Sequence, residues 1–306
     1  MSLVEKTLEK MKAAGGDVLT KARPAARLPG PLAEVRPEVR VSLTDPVPGE
    51  APKRTVHIDE QALMKEGVLP PEAEMRRVAD EYRAIKRSII DAAFQAEGAP
   101  PEARLVAITS ALPGDGKTHT SINLALSLAL EKDHSVVLVD ADVAKPHVSR
   151  LLGVSDEPGL LDLLASPEMS LRSVLLPTDR PNLWVLPAGA PSEVATELLA
   201  SARMHELRAN ITSMLPRSII LLDSSPVLVT SEAAVVVSGA GQILMVVKAG
   251  ETQEAAVLDA IAKIGNSERL KLILNQAPVS RLSGYYDGRW YEYGAAYAKQ
   301  SKGARG

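Results

Sequence analysis

The stretch LVAITSALPGDGKT, residues 105–118, joins a run of apolar residues to a loop rich in glycine. The apolar run has the continuous hydrophobicity of a strand buried on both faces, and residues 118–131 after the loop are typical of a helix. A phosphate-binding loop needs glycines where the backbone amides close around oxygens, a lysine for the terminal phosphates and a hydroxyl for Mg²⁺. The loop supplies these groups in Gly114, Gly116, Lys117 and Thr118. The stretch therefore predicts a phosphate loop between a strand and a helix.

The loop departs from the general pattern at Ala111, which stands six positions before the lysine, where the pattern begins with glycine. An ordinary glycine-rich turn between a strand and a helix is the alternative interpretation. If the segment is a phosphate loop, we expect Pro113, Asp115 and His119 to lie beside the nucleotide as well. His119 is otherwise a simple residue of the first helical turn.

Apolar runs alternate with helical segments from residue 105 to residue 275, and the runs are 105–110, 136–140, 183–187, 218–223, 243–247 and 270–275. Strands buried on both faces, separated by helices, predict an α/β fold with a mainly parallel sheet flanked by helices. Ahead of them, apolar residues spaced by three or four predict a helix over residues 72–95.

The chain divides into three predicted regions. Residues 1–55 combine a short amphipathic helix at 3–12 with a linker, because seven of the 22 prolines fall within 22–52. Residues 56–278 form the phosphate-loop domain. Residues 279–306 form a flexible tail that carries five of the six tyrosines.

Composition excludes several classes of function. The chain of 306 residues has no cysteine, which excludes disulfides, zinc–thiolate sites and a thiol nucleophile. The net charge of −3 lacks the excess of positive charge that is typical of nucleic-acid-binding proteins. The N-terminus lacks the apolar core of a signal peptide, and the longest uncharged run, 233–247, is shorter than the ~20 residues that cross a bilayer. We therefore expect a cytoplasmic protein.

Three aspartates follow predicted strands. Asp140 ends the run VVLVD and Asp142 lies just beyond it, while Asp223 ends SIILLD. Ligands bind at the carboxyl ends of parallel strands, and a nucleotide site needs carboxylates to hold the metal and position the attacking group. Any one of these aspartates alone is more often a helix cap or a turn residue. Together with the phosphate loop, they predict a nucleotide site in which these carboxylates hold the metal and position the attacking group.

The segments TSALPGDGKT, VVLVDADVAKP and IILLDSSPVL, with the tyrosine-rich tail, resemble the bacterial tyrosine kinases (BY-kinases) of exopolysaccharide biosynthesis, P-loop proteins with Walker A, A′ and B motifs. The opening MSLVEKTLEKMKA and the segment EYRAIKRSIIDAAF resemble most the exosortase-associated (PEP-CTERM system) tyrosine autokinases. The resemblance covers residues 56–297 and the first dozen residues. It implies ATP and Mg²⁺ as cofactors.

The resemblance also implies roles for single residues. Lys117 would contact the β- and γ-phosphates, while Thr118, Asp140 and Asp223 would hold Mg²⁺. Asp142 would orient or deprotonate the tyrosine hydroxyl. Asn275 matches a position that contacts the adenine edge, although a polar strand end is the simpler interpretation.

Oligomer formation is a further implication. Asp80, Arg83 and Lys86 align with a Glu-x-x-Arg-x-x-Arg motif that links subunits into a ring, although charges at this spacing are otherwise a solvated helix face. Expected partners are a separate transmembrane regulator of polysaccharide chain length and a protein-tyrosine phosphatase, with no nucleic acid. The regulator would recruit the protein to the inner membrane.

The tail would be the substrate, phosphorylated in trans on Tyr285, Tyr286, Tyr291, Tyr293 and Tyr297. Glycines between these tyrosines disfavour a rigid helix or strand. The alternative is an aromatic patch that folds back on the domain or stacks against a partner.

The chain departs from the family pattern in four places. Ala144 replaces one cation of an arginine pair, Ser225 stands where the family commonly has the first of two prolines, and Asp80 and Lys86 weaken the ring motif. These departures keep two alternatives open beside the autokinase: a P-loop ATPase that does not phosphorylate tyrosine, and a weakly active nucleotide-binding adaptor. The related partition ATPases carry a lysine at the position of Leu112, so the chain does not follow their pattern.

Overall fold

The computed structural model describes residues 54–95, 98–215, 217–265 and 267–277. The predicted N-terminal helix, the proline-rich linker and the tyrosine-rich tail lie outside these ranges. The division into three regions therefore stays a prediction.

Seven strands form one sheet in the order β3–β4–β2–β5–β1–β6–β7. Their bounds are β1 (Leu105–Ser110), β2 (Ser135–Asp140), β3 (Leu176–Pro177), β4 (Leu183–Leu186), β5 (Ser218–Asp223), β6 (Gln242–Lys248) and β7 (Leu270–Asn275). All pairings are parallel except β3 with β4. The structure confirms the predicted mainly parallel α/β sheet, with the six predicted strands placed within one residue of their expected ends. The antiparallel β3 was not predicted, because two residues carry no periodic signal.

The helices are α1 (Glu60–Lys65), α2 (Glu72–Ile90), α3 (Lys117–Ala129), α4 (His147–Leu151), α5 (Leu160–Ala165), α6 (Leu171–Val174), α7 (Ala195–Ala200), α8 (Ala202–Met214), α9 (Ser231–Ser238) and α10 (Glu254–Ile264). The predicted helix over 72–95 is α2 followed by a π-helical turn, Asp91–Gln95. Within the described ranges, none of these helices has the length and apolarity that a membrane crossing requires.

The central strands bury both faces because successive side chains point to opposite sides of the sheet. On β1, Val106 and Ile108 face one core, which also contains Ile89 of α2 and Leu124 of α3. Leu105 of the same strand faces a second core with α5, α7 and α8. This two-sided burial explains the uninterrupted apolar runs of the sequence. It also leaves polar residues at the strand ends, where β2 and β5 pair Asp140 with Asp223.

Candidate active site

The phosphate loop connects β1 to α3, and its backbone conformation requires glycine at two positions. Gly114 and Gly116 have φ values of 89° and 100°, in the left-handed region that glycine adopts without strain. Gly116 also lies so close to Asn275 that an added Cβ would approach the Asn275 Nδ2 atom to 2.0 Å. The glycine at 116 therefore serves both the backbone turn and the close approach of β7.

Asp115 holds the loop together from inside. One of its carboxylate oxygens accepts the Leu112 backbone N–H at 3.0 Å, and the other accepts the Thr252 hydroxyl at 2.6 Å. Its backbone carbonyl accepts a hydrogen bond from Asn275 Nδ2 at 2.9 Å. Side chains from the β6–α10 connection and from the end of β7 thus stabilise the loop. Sequence reasoning missed Thr252, since an isolated threonine carries no pattern. The adenine contact assigned to Asn275 stays a prediction.

Lys117 and Asp142 form a nearly buried ion pair. The Lys117 Nζ atom donates to Asp142 Oδ2 at 2.7 Å. Burial lowers the pKa of Lys117, but attraction to Asp223 and Asp142 outweighs this effect, so that its pKa is raised above the ordinary value. The ammonium group therefore stays charged.

Asp223 lies fully buried at the end of β5 and accepts two hydroxyl groups from the start of α3. The Thr118 hydroxyl donates to it at 2.8 Å and the Ser121 hydroxyl at 2.7 Å. Burial raises the pKa of Asp223, while the positive charge of Lys117 and these two hydrogen bonds oppose the rise. The strand end and the phosphate loop are joined through this carboxylate. Ser121 was not among the predicted site residues.

Asp140 has one satisfied and one free carboxylate oxygen. The backbone N–H and the hydroxyl of Ser149 both donate to Oδ2 at 2.7 Å, whereas Oδ1 is buried without a hydrogen-bond partner. Burial and repulsion from Asp223 raise the pKa of Asp140 to about 7, although the Ser149 hydrogen bonds oppose the rise. A buried carboxylate oxygen without a partner suits an incoming cation. Ser149, like Thr252 and Ser121, was not predicted, because a single serine carries no sequence pattern.

The oxygen groups near the phosphate loop fit Mg²⁺ when phosphates and water complete its shell. Thr118, Asp223 and the free oxygen of Asp140 are hard donors of the type that Mg²⁺ prefers. In the described part of the chain, no three acidic or histidine side chains form a metal-binding cluster by themselves. Mg²⁺ usually takes one or two carboxylates and keeps several waters, so the donor set fits a metal that arrives with a nucleotide.

Ser225 lies directly behind Asp142. Its hydroxyl donates to Asp142 Oδ1 at 2.6 Å, and the backbone N–H of Lys145 reaches the same oxygen at 3.3 Å. Ala144, the other departure in this region, is exposed. The serine that stands in place of the family's proline thus contacts the predicted catalytic carboxylate.

Pro113 and His119 line the same cleft, a space of about 330 Å³ that contains Lys117 and Asp142. His119 lies in the first turn of α3, where burial lowers its pKa. The cleft thus brings the predicted loop residues other than Asp115 together with Asp142.

The residues assigned to the ring interface do not share one environment. Asp80 and Arg83 form an exposed ion pair along α2. The Lys86 Nζ atom instead contacts Glu131 Oε1 at 2.6 Å and the Ser127 carbonyl oxygen at 3.0 Å. Lys86 therefore links α2 to the end of α3 within the chain. The role of Asp80, Arg83 and Lys86 in an interface between subunits stays a prediction.

The fold and these contacts define a P-loop NTPase. The ParA family profile, described as NUBPL iron-transfer P-loop NTPase, matches residues 103–195.

Similarity to known proteins narrows the class. The tyrosine-protein kinase YwqD of Bacillus subtilis is 30% identical over 213 residues, 68% of this chain and 86% of that protein. The tyrosine-protein kinase wzc of Salmonella typhimurium is 30% identical over 73% of this chain, but the match spans 30% of that protein's length. The kinase domain of the Escherichia coli tyrosine kinase ETK superposes with a TM-score of 0.56 at 26% identity, covering 66% of this chain and 78% of that domain. The chain belongs to the bacterial tyrosine-protein kinase family. Its closer resemblance to the exosortase-associated autokinases stays a prediction.

Proposed function

We propose that the chain is an ATP-dependent protein-tyrosine autokinase that regulates exopolysaccharide synthesis, export or chain length. The observation that carries this proposal is the position of Asp142, whose carboxylate lies 2.7 Å from the Nζ atom of the phosphate-loop Lys117. A carboxylate this close to the phosphate-binding lysine is suited to receive the proton of an attacking hydroxyl. Family membership supports the same activity.

In the proposed reaction, the loop amides and Lys117 bind the β- and γ-phosphates of ATP. Bound Mg²⁺ would add positive charge where the phosphoryl oxygens become more negative. The phenol oxygen of the acceptor tyrosine forms a bond to the γ-phosphorus as its proton passes to Asp142. The bond between the γ-phosphorus and the β–γ bridging oxygen breaks, and ADP leaves with that oxygen.

The proposed acceptors are the tail tyrosines: Tyr285, Tyr286, Tyr291, Tyr293 and Tyr297. Tyr82 is the one tyrosine within the described ranges, and 8% of it is exposed. A buried phenol packed between α2 and the core is a poor substrate. A tethered tail instead keeps several hydroxyls at high effective concentration near a neighbouring subunit's cleft.

The first experiment separates this function from its alternatives. Incubation with labelled ATP and Mg²⁺, followed by phosphotyrosine mapping, should place phosphate on the tail. Replacing the five tail tyrosines with Phe should remove nearly all phosphotyrosine while nucleotide binding is kept. Phosphate release without phosphotyrosine would support a P-loop ATPase, and neither product would support a nucleotide-binding adaptor.

Transfer in trans has its own test. A Lys117→Met chain with an intact tail is mixed with an active chain whose five tail tyrosines are Phe. Phosphate on the Lys117→Met chain shows transfer between chains, whereas none there, with wild type active alone, contradicts it.

We propose further that the chain forms a ring whose subunits separate as the tail is phosphorylated. Each phosphate adds about −1.5 to −2 charge, so tails should repel one another and the active-site carboxylates. Light scattering should give a smaller mass for the phosphorylated protein than for the five-Phe variant. Equal masses would refute this regulation.

The remaining parts of the proposal concern partners. A transmembrane chain-length regulator would recruit the kinase to the inner membrane, and a protein-tyrosine phosphatase would reverse the modification. The succinoglycan biosynthesis transport protein ExoP of Rhizobium meliloti, 32% identical over 61% of this chain and 24% of that protein, supports the polysaccharide context. Cofractionation with a membrane polysaccharide component tests recruitment. A fully active protein that stays in the supernatant would contradict it.

A further inference from the structure

The two carboxylate oxygens of Asp142 have different partners. Oδ2 accepts a hydrogen bond from Lys117 Nζ at 2.7 Å. Oδ1 accepts the Ser225 hydroxyl at 2.6 Å and the Lys145 backbone N–H at 3.3 Å. Only 3% of Asp142 is exposed, so water is largely excluded as a competing partner. The orientation of the carboxylate is therefore fixed by the chain itself.

Ser225 is rigidly placed for this contact. It follows β5, is 1% exposed, and its backbone carbonyl accepts the hydroxyl of Thr109 at 2.8 Å. The neighbouring Ser224 is equally buried, but its hydroxyl donates to the carbonyl oxygens of Ile108 at 3.1 Å and of Ser225 at 3.4 Å, and not to Asp142. Of these two adjacent buried serines, only Ser225 donates its hydroxyl to the Asp142 carboxylate.

We propose that Ser225 is the positioning residue for Asp142 and determines which of its oxygens works in the reaction. By holding Oδ1, the serine leaves Oδ2 as the atom that faces the cleft. Lys117 Nζ donates to Oδ2. When ATP phosphates attract Lys117, Oδ2 becomes free to accept the phenol proton as the phenol oxygen bonds to the γ-phosphorus and ADP leaves. This inference rests on the proposed kinase function.

Ser225 is expected to affect the reaction because its hydrogen bond fixes the orientation of the Asp142 carboxylate. A hydroxyl-to-carboxylate hydrogen bond is among the stronger hydrogen bonds in proteins, and here it is shielded from water. Without it, the carboxylate can rotate away from the line between acceptor and phosphate. Misplacement of a reacting group by about 1 Å costs on the order of 100-fold in rate. The loss should appear in kcat, because Ser225 does not belong to the loop that binds the phosphates.

The test compares Ser225→Ala with Ser224→Ala in the full chain. Each substitution removes a hydroxyl oxygen, and the two positions are adjacent and equally buried. Tyrosine phosphorylation gives kcat and the KM for ATP, nucleotide titration gives Kd, and thermal unfolding gives stability. Ser225→Thr, which keeps a hydroxyl, is the rescue variant. The Ser225→Ala change is also made in an Asp142→Asn background, where its effect on residual transfer is measured.

We expect Ser225→Ala to lower kcat by roughly 10- to 100-fold with KM and Kd within about 2-fold of wild type. Ser224→Ala should keep kcat near wild type, Ser225→Thr should recover most of it, and Ser225→Ala should have no further effect beside Asp142→Asn. Unchanged kcat in Ser225→Ala, an equal loss in Ser224→Ala, or an undiminished effect in the Asp142→Asn background would overturn the inference. Wild-type protein that makes no phosphotyrosine would instead overturn the proposed function, and this inference with it.

Discussion

Lys117 Nζ and Asp142 Oδ2 lie 2.7 Å apart, joining the first residue of α3 to the loop after β2. Both side chains are almost completely removed from solvent, so each depends on the other for charge compensation. The phosphates of a nucleotide compete for the same ammonium group. Nucleotide binding and the release of Asp142 are therefore expected to occur together.

Lys117→Met should abolish phosphotyrosine, because a neutral thioether cannot balance the charge that develops on the phosphoryl oxygens. We expect a loss on the order of 100-fold or more. Lys132→Met, at an exposed position after α3, is the matched control and should keep wild-type activity. Autophosphorylation followed by phosphotyrosine detection measures both. Substantial activity in Lys117→Met would remove the lysine from the proposed mechanism.

Gly116→Ala should impair nucleotide binding more than Gly114→Ala does. Both positions have positive φ, so both substitutions strain the backbone. At Gly116 the new Cβ would also approach Asn275 Nδ2 to 2.0 Å, whereas nothing lies within 4 Å of a Cβ at Gly114. Adding Asn275→Ala to Gly116→Ala should relieve the clash and recover part of the affinity. Equal Kd values for the two single variants would show that the contact with Asn275 has no consequence.

Asp115→Ala and Thr252→Val should both loosen the phosphate loop. The first removes the carboxylate that accepts the partly buried Leu112 backbone N–H, and a hydrogen bond to a charged group contributes about 1.5–3 kcal/mol. The second removes a 2.6 Å hydrogen bond to Asp115. Thr196→Val is the control, because its hydroxyl makes a similar 2.6 Å bond to Glu232 away from the loop. We expect roughly 10-fold weaker nucleotide binding in Thr252→Val and wild-type affinity in Thr196→Val, a difference that needs about 1.4 kcal/mol. Identical affinities would contradict the role of Thr252.

The raised pKa of the buried Tyr82 phenol predicts that the folded chain loses stability at alkaline pH. Burial raises its pKa to about 12 from an ordinary value of 10.0, while a hydrogen bond with Thr120 opposes the shift. Above the ordinary value, the unfolded chain releases the phenol proton and the folded chain keeps it. The contribution to stability is thus complete below pH 10 and declines as pH rises towards 12. The decline amounts to roughly 2–3 kcal/mol.

The corresponding measurement is chemical unfolding of wild type and Tyr82→Phe between pH 8 and 12. The variant lacks the phenol, so its stability should fall less steeply above pH 10. Parallel curves for the two proteins would show that the Tyr82 phenol does not titrate differently in the folded chain.

Local patterns determined the fold and much of the site. Each buried strand of the parallel sheet is a continuous apolar run, because both of its faces meet helices, and such runs are visible one at a time. The phosphate loop is equally local, since Gly114, Gly116 and Lys117 lie within four consecutive positions. The aspartates at 140, 142 and 223 could be selected because each follows an apolar run, and parallel strands bring their carboxyl ends to one edge.

The partners of those residues were decided only by the tertiary structure. Thr252 reaches Asp115 across 137 positions, and Ser225 reaches Asp142 across 83. Lys86, expected at an interface between chains, contacts Glu131 of its own chain. Single serines, threonines and lysines have no periodicity, and the hydrogen bonds they form depend on which loops the completed sheet brings together. The sequence by itself thus predicted which groups would act on a nucleotide. The packing of β2, β5, β6 and β7 determined how those groups are held, because these hydrogen bonds form only where two distant segments bring donor and acceptor within about 3 Å.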